Sequence, residues 1–183
     1  MTVLVPLFIF VLIPLIWFVG TYNGLVRIRN HCAESFANID TELKRRHHLI
    51  PNLVRTVKGY ATHEKEVFQA VTEARNQAQQ VSRNPEVQAP LENQLVESIG
   101  RLLAVVEAYP NLKADQHFLE LQRELVETEN RIQHTRRIYN ANVRDLNNRV
   151  EMFPSSVVAN MSGVKMQAFF EITDLRMREV PRL

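Results

Sequence analysis

The chain has 183 residues, and its 22 basic and 20 acidic side chains leave a net charge of +2, interspersed rather than gathered with aromatics. That pattern lacks the footprint of a nucleic-acid binder, and a single cysteine, Cys32, excludes an internal disulfide and agrees with a reducing compartment. Only five glycines occur and no stretch alternates apolar with polar residues, so strands are not expected and the body reads as all-α.

Residues Thr2 through Thr21 contain no Asp, Glu, Lys or Arg, and the first charge is Arg27. A helix needs about 20 apolar residues to cross the hydrocarbon of a bilayer, so this segment has the length of a transmembrane anchor, 1–21. Trp17 and Tyr22 stand where interfacial aromatics are expected. A buried core helix and a cleaved signal peptide are the alternatives, but the segment lacks a basic leader and a pair of small residues before a cut site. Pro14 frees the carbonyl of Phe10 in a medium without water, which favours a kink or a neighbouring chain. Gly20 and Gly24 follow the Gly-x-x-x-Gly spacing that lets helix backbones approach in lipid, with loop flexibility as the other reading. Arg27 and Arg29 follow the span, with Lys44, Arg45 and Arg46 further on, and nothing basic precedes it except the terminal amine. The expected orientation is single-pass, N-terminus outside, with residues 22–183 as a cytoplasmic helical bundle.

Beyond the anchor, Leu25, Ile28, Cys32, Phe36, Ile39 and Leu43 recur in steps of three and four, the stripe of a helix continuing out of the bilayer. Pro51 removes the hydrogen bond to the carbonyl of His47, so a kink or fresh start is expected there. Periodicity resumes with Leu53, Val57, Tyr60, Val67, Phe68 and Val71 and lapses between Asn76 and Asn84. Pro85 and Pro90 frame the next helix, which carries Leu91 to Val106 up to the break at Tyr109-Pro110-Asn111. From about Ala114 to Met152, Phe118, Leu121, Leu125, Thr128, Ile132, Thr135 and Tyr139 form a heptad seam continued by Val143, Leu146 and Val150. Pro154 ends it, and residues 154–183 are expected to supply a C-terminal helix and tail, with Phe169 and Phe170 completing the bundle or meeting the membrane or a neighbouring subunit. The whole is expected to be an elongated antiparallel helical bundle with long kinked helices after one transmembrane helix.

Catalytic chemistry finds little support. His63-Glu64 opens like a zinc-protease motif, but the position four after His63 is Val67. His47 and His48 point to different sides of a helix and read as solvated. No phosphate loop, Gly-x-Ser-x-Gly elbow or Cys-x-x-Cys occurs, so no catalytic, metal or cofactor residue is assigned and an enzyme is not expected. Lys44, Arg45 and Arg46 would stand ~35 Å above the membrane on a straight helix, beyond the ~8 Å Debye length. Asp40 with Lys44 and Glu42 with Arg46 would make a self-paired solvated face, and a subunit or anionic partner is the alternative. The asparagines around Asn140 and Asn147 set polarity on a long helix, either as interhelical hydrogen bonds or as an oligomer interface.

Tyr22-Asn23-Gly24-Leu25-Val26, Leu43-Lys44-Arg45-Arg46, Leu49-Ile50-Pro51-Asn52-Leu53-Val54 and Val57-Lys58-Gly59-Tyr60-Ala61, with Ala74-Arg75 and Tyr109-Pro110-Asn111-Leu112, resemble the signature of LemA family proteins. Thr128-Glu129-Asn130-Arg131-Ile132, Arg136-Arg137, Tyr139-Asn140, Asn147 and Phe153-Pro154 are similar to its later pattern, and the resemblance covers about Tyr22 to Glu171. His48 departs from it, where an Asp is expected. The resemblance implies a bacterial protein with one N-terminal span, an outward N-terminus and a helical body, without a known reaction; one similar branch is associated with magnetosome membrane formation.

These features point to a membrane-anchored, self-associating scaffold that organises or remodels the bacterial inner membrane. The other reading is a small tethered adaptor presenting its bundle to a protease, transporter or other membrane protein. The expected partners are the lipid bilayer and further copies of the chain, with Lys44, Arg45, Arg46, Tyr60, Asn140, Asn147, Phe169 and Phe170 as candidate contacts and Pro14, Gly20 and Gly24 as candidate span-packing residues.

Overall fold

The computed structural model describes residues 4–80 and 84–172, the side chains of 4–9 excepted. It contains α1 Leu4–Tyr60, α2 Lys65–Gln79, α3 Pro85–Val106, α4 Pro110–Lys113, α5 Gln116–Glu151 and α6 Ser155–Ser162, and no strand occurs among the described residues. The chain divides into two compact units. One comprises the described residues up to Ser35 with Ile138–Ala168; the other comprises Phe36–Arg137 with the described residues from Phe169 on. Two of the boundaries fall inside α1 and α5, and the third between Ala168 and Phe169 in the irregular segment after α6.

α1 passes through Pro14 and Pro51 as one helix, so the fresh start expected at Pro51 is not found. The reason lies in α2: Arg75 Nε donates to the carbonyl of His47 at 2.7 Å, the acceptor that Pro51 leaves without its helical donor. The break falls ten residues later. Ala61 N–H still closes onto Val57 O at 2.9 Å, and the chain then reverses through Ala61–Glu64. Ala61 is buried in that turn, and α2 brings Phe68, Val71, Ala74 and Ala78 into the core with Leu53 and Val57 of α1 and Leu95, Ile99 and Leu102 of α3. Tyr60, expected on the stripe, is exposed instead.

α3 opens on Asn84, whose side chain accepts from Glu86 N–H, with Pro85 in the first helical position. α5 opens on Asp115, which accepts from Phe118 N–H at 2.9 Å. Its seam is observed: Phe118, Leu125, Thr128, Ile132, Tyr139, Val143 and Leu146 are buried. In the first unit the buried set is Leu25, Cys32, Tyr139, Val143, Leu146, Val158, Ala159 and Val164.

The C-terminal helix expected within residues 154–183 is α6, which ends at Ser162. Gly163 adopts φ 68°, the left-handed region that favours glycine, and Val164 N–H closes back onto Ala159 O at 3.0 Å, a helix-ending geometry. Residues 164–172 then run without regular structure. Side chains of α5 satisfy their backbone: Asn147 Nδ2 donates to Gln167 O and Asn147 Oδ1 accepts from Gln167 N–H, both at 2.9 Å, and Tyr139 donates to Ala168 O at 2.9 Å. Arg136 donates to Ile172 O, and Asn93 of α3 to Glu171 O at 3.2 Å. Phe170 is fully buried, edge-on to Phe36 with ring centroids 5.7 Å apart. Phe170 reaches the core from this irregular strap rather than from a helix. Residues 173–183 of the expected C-terminal helix and tail lie outside the described residues.

Candidate functional site

The apolar segment of α1 is almost wholly exposed, with Phe10 78% and Ile16 63% accessible, although its composition is that of a core. A helix hydrophobic all round and solvent-accessible within the protein is matched to lipid. It continues unbroken into the part of α1 whose Leu25 and Cys32 are fully buried, so anchor and first unit share one helix. At the end of the apolar segment, Trp17, Gly20 and Thr21 line a groove of about 430 Å³ with Arg149, Pro154 and Ser155. A methyl group on Gly24 would stand 3.0 Å from the Arg149 guanidinium, whereas Gly20 has open space. The close approach at Gly24 is thus to α5 of the same chain.

A second constellation lies inside the other unit. Arg46 of α1, Glu92 of α3 and Glu129 of α5 are all buried, and the Arg46 guanidinium donates to both carboxylates, at 2.8 Å to Glu129 Oε1 and through its other terminal nitrogen to Glu92. His47 Nε2 sits 3.1 Å from Glu92 Oε1. Burial pushes the Glu92 carboxyl up, but the His47 hydrogen bond and the Arg46 charge outweigh it and hold it below the ordinary carboxylate range. Burial likewise disfavours the Arg46 cation, and Glu129 and Glu92 more than restore it. Arg46 Nε, Glu129 Oε2, Glu42 Oε2 and Gln133 Nε2 are buried without a hydrogen-bond partner. The enclosed network ties α1, α3 and α5 together and offers no face to a substrate. Glu92 was not singled out from sequence, Glu129 entered only within the family resemblance, and His47 was read as solvated. The available signal was register: Ile39, Leu43, Arg46 and Ile50 are spaced four, three and four, so Arg46 occupies an apolar-stripe position.

Arg46 therefore leaves the expected solvated face: Glu42 lies beside Arg45, at 3.8 Å, and Lys44 pairs with Asp40 at 2.8 Å as expected. His47 is buried, not solvated, because Glu92 receives it. Asn147 and Phe170 are engaged inside the chain, and Asn140 is half-buried. Lys44, Arg45, Tyr60 and Phe169 are exposed. Tyr60 donates to Asp115 at 2.9 Å beside an open groove of about 570 Å³ that includes Arg55, His117, Glu120 and Glu124. Pro14 lies within the exposed part of the span. Among the described residues no group of three His, Cys, Asp or Glu side chains is placed to hold a metal.

Fold and exposure define an all-helical, membrane-associated protein whose apolar N-terminal helix runs into a helical body. The chain belongs to the LemA family, which matches residues 35–183. Protein LemA of Metamycoplasma hominis is 26% identical over 163 residues, covering 89% of this chain and 74% of that protein. Magnetosome protein MamQ 2 of Paramagnetospirillum magneticum is 23% identical over 175 residues, covering 82% of this chain and 64% of its own length. Magnetosome protein MamQ of Magnetospirillum gryphiswaldense is 21% identical over 174 residues, with 81% and 64% covered. The chain thus spans somewhat less than two thirds of the magnetosome relatives it matches.

Proposed function

We propose that this LemA family protein is a membrane-anchored helical scaffold that self-associates and organises the bacterial inner membrane, with its body in the cytoplasm and no catalytic role. The observation that carries the reading is the continuity of α1, in which a bilayer-length apolar segment and the first buried stripe of the body are one helix without a linker. A helix shared between bilayer and body transmits orientation, as a scaffold requires, whereas a tethered adaptor is served by a flexible connection. The similarity to proteins named for the magnetosome agrees with work at a membrane. Light scattering of the full chain in nanodiscs, beside a version lacking residues 1–21, tests it. A large closed assembly that requires the span is expected, and a monomer in both forms overturns the scaffold.

The open groove beside Tyr60 favours the adaptor as a second reading. Its mixed charges, Arg55 and His117 against Asp115, Glu120 and Glu124, suit a polar protein segment better than an apolar helix. A full-length monomer that captures a protease or transporter, and loses it on charge reversal at Arg55 and Glu124, decides for that reading.

A further inference from the structure

From Met152 to Val164 the chain carries no Asp, Glu, Lys or Arg. That stretch forms the turn after α5, with a cis Phe153–Pro154 peptide, and the whole of α6. It holds some of the most exposed large apolar side chains outside the span: Phe153 is 82% accessible, Met161 71% and Met152 63%. α6 buries Val158 and Ala159 inward while Val157 and Met161, one turn apart, stay exposed. Such a contiguous apolar surface without charge marks a binding face.

Its position states what covers it. Pro154 and Ser155 line one groove with Trp17, Gly20 and Thr21, the last turn of the apolar helix, and the Arg149 guanidinium stands 3.0 Å from where a Cβ on Gly24 would lie, just beyond. Within this unit the turn therefore stands level with the place where α1 leaves the hydrocarbon. Residues there meet headgroups and the upper acyl region, where aromatic and thioether side chains enter and a guanidinium can pair with phosphate.

We propose that the Met152–Met161 segment is a second membrane contact, which seats Phe153, Met152 and Met161 in the interfacial layer of the bilayer that α1 spans and sets Arg149 against its phosphates. The proposal rests on the reading of residues 1–21 as a span. Two contacts fix the rotation of the first unit about α1 as well as its depth, which a lone helix leaves free.

Trp17 is the chain's single tryptophan, so it reports the span, and Trp17→Phe combined with Phe153→Trp moves the only indole to the turn. Phe153 is exposed, so the exchange leaves the packing alone. Both full-length proteins are reconstituted into phosphatidylcholine–phosphatidylglycerol vesicles, with lipids brominated either near the carbonyls or deep in the acyl chains. The expected result is loss of indole emission at position 153 comparable to that of Trp17, stronger with the shallow bromines, together with a blue shift. Quenching of Trp17 but not of the introduced indole overturns the second contact and leaves the span standing. A blue shift without lipid quenching assigns the face to a second protein copy and overturns it too. If neither indole is quenched, the span reading itself fails and the proposal falls with it.

Discussion

Glu92 has no solvent contact, so its ionised form depends wholly on Arg46 and His47. Removing one member of such a network leaves an uncompensated buried charge, which costs about 3–5 kcal/mol. Arg46→Met and Glu92→Leu are each expected to lower the unfolding free energy in mild detergent by that order, and the double variant by less than the sum. An additive pair would show that the two groups are not coupled. The folded pKa of Glu92 is depressed, so its contribution is present above the ordinary carboxylate value of 4.5 and is lost as pH falls through the lower folded value. Glu92→Gln is therefore expected to flatten the acid limb of the stability profile below pH 4.5, and an unchanged limb would assign the acid sensitivity elsewhere. Cys32 behaves oppositely: burial, with Asp145 adding, pushes its thiol up to about 11. Relative to a thiol at its usual 9.0, the thiolate fraction at neutral pH falls by roughly 100-fold. Maleimide labelling of Cys32 in the folded protein is expected to be slow and to become fast on denaturation.

At the scale of elements, the way α1 carries Pro51 is the instructive case. The proline was legible as a helix interruption, and its orphaned acceptor, the His47 carbonyl, could be named from spacing alone. Its remedy could not, because Arg75 comes from 28 residues away and becomes a neighbour only after the reversal at Ala61–Glu64. Arg75→Leu is expected to cost about 1–3 kcal/mol, the penalty of a half-buried carbonyl without a donor. Pro51→Ala restores the helical N–H, so most of that loss should vanish in the double variant. The α5 seam was readable from Phe118 to Leu146 because steps of three and four persist, with one extra step at Tyr139–Val143. The last segment was not, since its apolar residues suit a helix and one glycine, Gly163, redirects them into a strap. Gly163→Val, at φ 68°, is expected to destabilise by about 1–2 kcal/mol and to loosen the segment held by Asn147. Sequence passed over Glu92, set Arg46 on a solvated face and left Asn147 between an interhelical bond and an oligomer interface, for one physical reason. Each is polar at a position set by an apolar register, and its partners are distant in sequence.

For the whole molecule, the direction in which the body faces decides which partners are possible. The proposed cytoplasmic placement of the body rests on Arg27 and Arg29, the first basic residues after the apolar segment. Because Cys32 is the chain's single cysteine, Cys32→Ala clears the background for one reporter. Leu119 on α5 is 48% exposed and outside the core, so Leu119→Cys places a reactive thiol on the body without disturbing packing. In intact cells whose outer envelope admits the reagent, a membrane-impermeant maleimide is expected to leave that thiol unmodified until the inner membrane is opened by detergent. Modification in intact cells would put the body outside. The Met152–Met161 face would then meet the outer leaflet, and the scaffold would have to organise its membrane from the opposite side.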